Sequence, residues 1–181
     1  ICDWDNDGKY DCDEFKKYAG NSYAINDYQG VVDQYMTMII CGCTSSDDAE
    51  SIYDNLGRAY EKIGKLDSST WAFKEGLKLL PDSENLLWLA AWSTAKEFRN
   101  GNEEKLNEQL YFLERLLEID PDNIDVLEKM SDAYKRAEMY DEQIVVLDQW
   151  LKIDGTNKKA ITNKKEAFES LGKDASEVDK E

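Results

Sequence analysis

The chain has 181 residues with 39 Asp plus Glu against 22 Lys plus Arg, a formal charge of -17, and no histidine. Such an acidic surface argues against nucleic acid or an anionic membrane as partner, since both are polyanions. Without histidine there is no Ser-His or Cys-His nucleophile pair and no imidazole base or zinc ligand, so the chain reads as a non-enzyme.

The first stretch with explicit chemistry is "DWDNDGKYDCDE", residues 3–14. Asp3, Asp5, Asp7, Asp11 and Glu14 fall at positions 1, 3, 5, 9 and 12 of a twelve-residue loop, with Gly8 at position 6. The loop resembles the EF-hand calcium loop, in the isolated form of dockerins and thrombospondin type 3 repeats, because no helix precedes it and Tyr10 replaces the usual aliphatic residue. Calcium takes six to eight hard oxygens. The alternating carboxylates, the Lys9 carbonyl and a bidentate Glu14 would supply them, and the ion would be structural.

Cys2, Cys12, Cys41 and Cys43 all lie in the first quarter of the chain. An even count beside an acidic loop suits an oxidising compartment, with two bridges joining Cys2 and Cys12 to Cys41 and Cys43 in an order left open. A helix is expected from residue 12 to about 19 with Phe15 and Tyr18 inward, then a turn at "AGNS" (19–22). A second helix is expected over 24–42, with Val31, Tyr35, Met38 and Ile39 as its apolar stripe. "CTSSDDAE" (43–50) is a polar turn with capping residues.

From residue 50 a longer period sets in. Counting Glu50 as position 1, Tyr53, Leu56, Gly57, Tyr60, Ser69, Phe73, Gly76 and Pro81 occupy positions 4, 7, 8, 11, 20, 24, 27 and 32. Large residues at 4, 7, 11 and 24 form a buried stripe, small ones at 8, 20 and 27 let two helix backbones approach, and the proline ends the second helix. This pattern resembles the tetratricopeptide (TPR) repeat. Pro121 in "LEIDPDN" and Gly155 in "LKIDGTN" mark two further units. Leu127, Met130, Ser131, Tyr134, Gln143, Leu147 and Trp150 stand at the matching positions of the third. The second unit is six residues longer, with the excess placed around residues 99–108. Trp88, Trp92, Trp71 and Trp150 are expected to pack between repeats, and the run "NEEKLNE" to be a solvated face. In residues 157–172, Ile161, Lys164, Lys165 and Phe168 fall at positions 4, 7, 8 and 11, and lysines there suit a solvated terminal helix closed by Gly172.

The resemblance implies an all-α, right-handed TPR-like helical-hairpin solenoid. Residues 1–46 are the calcium loop and an abbreviated hairpin, 47–83, 84–123 and 124–156 are three repeats, and 157–181 are the terminal helix and tail. No apolar run is long enough to span a bilayer. The chain is also similar to TPR-like subunits of extracellular fibres. That similarity implies a secreted structural scaffold, stabilised by Ca2+, whose copies assemble head to tail into a homo-oligomeric filament. The acidic tail 173–181 would then lie against a neighbouring copy. "TSS" (44–46) and "SST" (68–70) could carry O-linked glycan. The alternative is a monomeric secreted or periplasmic adaptor holding a peptide or protein in its concave groove. A basic groove for acidic peptide tails is not expected, because arginine is limited to Arg58, Arg99, Arg115 and Arg136.

Overall fold

The computed structural model describes Cys2 and residues 12–173. Among these residues every regular element is an α-helix: α1 (Cys12–Ala24), α2 (Tyr28–Ile40), α3 (Ser46–Lys62), α4 (Leu66–Leu79), α5 (Glu84–Arg99), α6 (Lys105–Ile119), α7 (Ile124–Arg136), α8 (Tyr140–Ile153) and α9 (Lys158–Ser170). The chain forms two compact units, residues 1–102 and 103–181. In the first, each of α1 to α4 packs on the helix that follows it. In the second, α6 to α8 do the same. This is an all-α helical-hairpin solenoid.

The helix starts follow the repeat. Ser83, Asn123 and Asn157 each stand one residue before a helix, and their side chains accept from Leu86 N, Val126 N, and Lys159 N and Ala160 N. Each cap of this type contributes about 1 kcal/mol by satisfying amides that have no partner within the helix. Asp27 caps α2 in the same way, accepting from Gly30 N.

Close helix approach explains the small positions. A Cβ added at Gly57 would lie 2.2 Å from the Phe73 ring, and one at Gly76 would lie 2.9 Å from Tyr53 Cβ. The α3–α4 and α4–α5 contacts therefore depend on the missing side chains. In the third repeat Ser131 takes the place of Gly57 and Gln143 that of Ser69. Gln143 is buried and its Nε2 donates to Ser131 Oγ at 3.2 Å, so a hydrogen-bonded pair replaces a bare glycine.

Several expectations change. α1 continues through "AGNS" to Ala24, because Gly20 faces open space and the reversal falls at Asn26, with φ 59°. Tyr18 faces outward, and Ala19, one turn after Phe15, joins it in the core instead. α2 begins at Tyr28, later than expected, and buries Val31, Val32 and Met38, with Tyr35 and Ile39 half-buried. The terminal helix also differs: Lys164 is only 3% exposed, held by Asp148 at 2.7 Å. Of the tryptophans, Trp150 is buried as expected and Trp88 is half-buried, but Trp71 and Trp92 are exposed.

Candidate interaction sites

Cys2 is bonded to Cys41 and Cys12 to Cys43, with Cα–Cα distances of 5.5 Å in both. The bridges join a core of Phe15, Met38 and Ile52, against which Tyr35 and Ile39 pack. Both ends of the acidic loop are thereby tied to one short stretch, Cys41 to Cys43. Asp3, Asp5, Asp7, Lys9 and Asp11 lie outside the described residues, as do residues 174–181 of the tail. Glu14 is exposed on the first turn of α1, two residues after Cys12. Across the same hairpin Lys16 Nζ meets Asp48 Oδ2 at 2.7 Å. With a Ser45 hydrogen bond, that pairing holds the Asp48 carboxyl below its usual range.

A second constellation joins α3 and α5. Asn85 Nδ2 donates to Asp54 Oδ2 at 3.1 Å, Lys96 Nζ to Glu61 Oε1 at 2.9 Å, and Arg58 pairs with Asp54. Between these links Trp92 presents its ring, 48% exposed, with Lys96 Nζ at 5.5 Å and the Arg99 guanidinium at 5.4 Å from its centroid. Trp88 lies one turn earlier. Cations over an exposed indole are worth about 0.5–1 kcal/mol and hold the ring in one orientation. Its face is therefore a rigid, amphipathic contact for a planar or apolar group.

The same helix, α5, contributes to a buried relay with α4. The Thr70 hydroxyl donates to Glu97 Oε1 at 2.7 Å and lies 2.9 Å from Ser93 Oγ. All three side chains are buried. The relay borders a cleft of about 390 Å³ lined by Gly64, Asp67, Glu97, Asn100 and Asn102 among others. The longer second repeat creates this cleft: α5 has 16 residues where α7 has 13, and the turn after Arg99 adds Asn100 and Asn102. Sequence reasoning missed the relay. The available signal was Thr70 at a position where the other repeats have Leu110 and Ile144, and Ser93 where they have Ala59 and Ala133. Burial of Ser69 and Thr70 also removes both as glycan acceptors, whereas Thr44 and Ser45 remain accessible.

In the second unit the last helix is held by charge. Lys159 and Glu128 meet at 3.0 Å, Lys135 and Glu166 at 2.5 Å, and Lys173 and Asp141 at 2.9 Å, besides the Lys164–Asp148 pair. Hydrogen bonds from Lys129 and Lys159 hold the Glu128 carboxyl below its usual range, and Glu128 raises the Lys159 ammonium in turn. Among the described residues no cluster of three acidic or sulfur ligands suits a metal, and no helix is long and apolar enough to cross a membrane.

No family model and no curated protein matches the sequence. Solved structures do match its fold. A structure titled "Crystal structure of MamA protein" is similar with a TM-score of 0.69 at 15% identity, covering 93% of this chain and 86% of that one. "MamA AMB-1" gives 0.66 at 17% identity, covering 92% and 85%. A tetratricopeptide repeat protein from Parabacteroides merdae ATCC 43184 gives 0.70 at 14% identity, covering 89% and 60%. At such identities the likeness establishes the TPR-like fold alone.

Proposed function

We propose that the chain is a secreted, non-enzymatic scaffold subunit, stabilised by Ca2+, whose copies assemble head to tail into an extracellular filament. One observation carries the reading: the first hairpin and the last helix have opposite net charge. Residues 12–50 hold seven carboxylates against two lysines, while residues 158–173 hold five lysines against two glutamates. A solenoid end needs a face to cover it, and opposite charges steer one end of a copy to the other end of the next. The tail 174–181 adds four carboxylates and one lysine, and in a filament these would lie beside the same junction.

The paired cysteines support an oxidising compartment. The chemistry of the acidic loop fits a hard divalent cation. Its carboxylates would hold Ca2+ between the two anchored ends, and at millimolar calcium this adds on the order of 1 kcal/mol. Electron micrographs of the purified protein test the proposal. Filaments in millimolar calcium, shortened by a chelator and by K158E/K165E, are expected, and single particles throughout would overturn it.

Trp92 favours a second reading, a monomeric secreted or periplasmic adaptor that grips a peptide or protein through its first-helix face. In that case the protein stays monomeric, and Trp92→Ala abolishes binding of a selected peptide without changing the melting temperature.

A further inference from the structure

With Pro81, Pro121 and Gly155 aligned, the residues ten places earlier are Trp71, Tyr111 and Val145, and those two places earlier are Leu79, Ile119 and Ile153. All six are exposed, Trp71 by 39%, Tyr111 by 51% and Val145 by 68%. They are six of the eleven large hydrophobic residues exposed among the described residues, so exposure is tied to repeat position and is not scattered. Lone exposed apolar side chains are ordinary; the same two places on three successive second helices are a pattern.

The charges between these places differ from helix to helix. α4 shows Trp71, Lys74, Lys78 and Leu79, and α6 shows Tyr111, Glu114, Glu118 and Ile119, at the same spacing. One face is basic, the other acidic, and each carries an aromatic residue and an aliphatic one. The geometry points to a contact in which α4 of one copy docks on α6 of a second copy of this chain, Trp71 against Tyr111, with Lys74 facing Glu114 and Lys78 facing Glu118. Two α4 faces repel each other, as do two α6 faces, so charge selects the unlike pairing while the aromatic rings supply the buried anchor. Lys78 pairs with Glu75 at 2.5 Å and Arg115 with Glu118 at 3.0 Å within their own helices. Such exposed pairs contribute little and exchange readily for partners across an interface. The contact rests on the self-assembly reading and adds to it a sideways surface, distinct from the chain ends.

Sedimentation velocity and electron microscopy of the full chain test it with K74E/K78E, E114K/E118K and the two combined. Each single-face reversal is expected to weaken self-association about tenfold or more. The combined variant, or an equimolar mixture of the two reversed proteins, should recover it. W71A/Y111A should weaken it without changing any charge. Circular dichroism melts show that each variant folds. Filaments of unchanged length and width in both reversals overturn this contact and leave the end-to-end reading standing, as does failure of the combined variant to recover. Wild-type protein that sediments as a monomer at every concentration overturns both.

Discussion

The first hairpin and the last helix solve the same problem differently. α1 buries only Phe15 and Ala19, and α9 only Ala160, Lys164 and Ala167, whereas α5 buries eight residues. Each terminal element thus removes less apolar surface from water than an inner helix does, against a similar entropy of ordering. The front end compensates covalently, through bridges spanning sequence separations of 39 and 31 residues. The back end compensates with ion pairs on α7 and α8. The difference teaches that the front end should depend on redox state, and the back end on pH and ionic strength.

The largest test breaks the front clamp. Removing the Cys12–Cys43 bridge by C12S/C43S should cost about 3–4 kcal/mol from the loop-closure entropy restored to the unfolded chain, read by denaturant unfolding. Because the two loops overlap, the cost of removing both bridges should fall short of twice that amount. Protection from hydrogen exchange should vanish first in α1 and α2 and persist in α4.

Next comes the buried member of the back latch. Asp148→Ala removes a carboxylate from the buried Lys164 ammonium and should cost about 1–3 kcal/mol, whereas Lys164→Leu should be near neutral, since a well-packed apolar side chain replaces a buried pair at little loss. Equal costs for the two would show that packing, and not charge, holds α9.

A smaller effect is expected with pH. Glu128 has a folded pKa below its ordinary value, so its contribution is present above that value and is lost as pH falls through the depressed one. Lys159, raised by Glu128, loses its share as pH rises through its elevated value, above the usual lysine range. Exchange of α9 amides should therefore accelerate below roughly pH 4, where ordinary carboxylates protonate. Among the described residues the front end should follow through its Lys16–Asp48 pair, since disulfides do not titrate.

The smallest effect is that of salt. Raising sodium chloride to about 1 M shortens screening to about 3 Å and should loosen α9 by a few tenths of a kcal/mol per exposed pair, with a smaller effect on α1, which the disulfides also hold.

The repeat core was legible in the sequence because its positions are fixed by packing. Tyr53, Leu56 and Phe73 are buried, and Gly57 and Gly76 sit where no Cβ fits. Turn positions were less so. Asn26 and Glu138 adopt positive φ where glycine was the expected signal, as at Gly64. The outward positions were misread: Trp71 and Trp92 look like core residues by type, and only the helix phase shows them facing solvent. Lys164 was misread in the opposite direction, since a lone lysine is read as solvated unless its partner, Asp148, sixteen residues earlier, is known to face it. For the cysteines, the clustering could be read but the pairing could not, because the first two and last two sulfurs are each close enough in sequence to exchange partners.

The Thr70–Ser93–Glu97 relay bears on how a chain of look-alike helices finds its correct order. If α5 mispaired with α6 or α8 during folding, Glu97 would be buried against Leu110 or Ile144, neither of which can donate to a carboxylate. Burying a carboxyl group without a donor costs a few kcal/mol. One carboxylate thus works as a proofreading key, rejecting shifted pairings that shape and greasiness alone would tolerate.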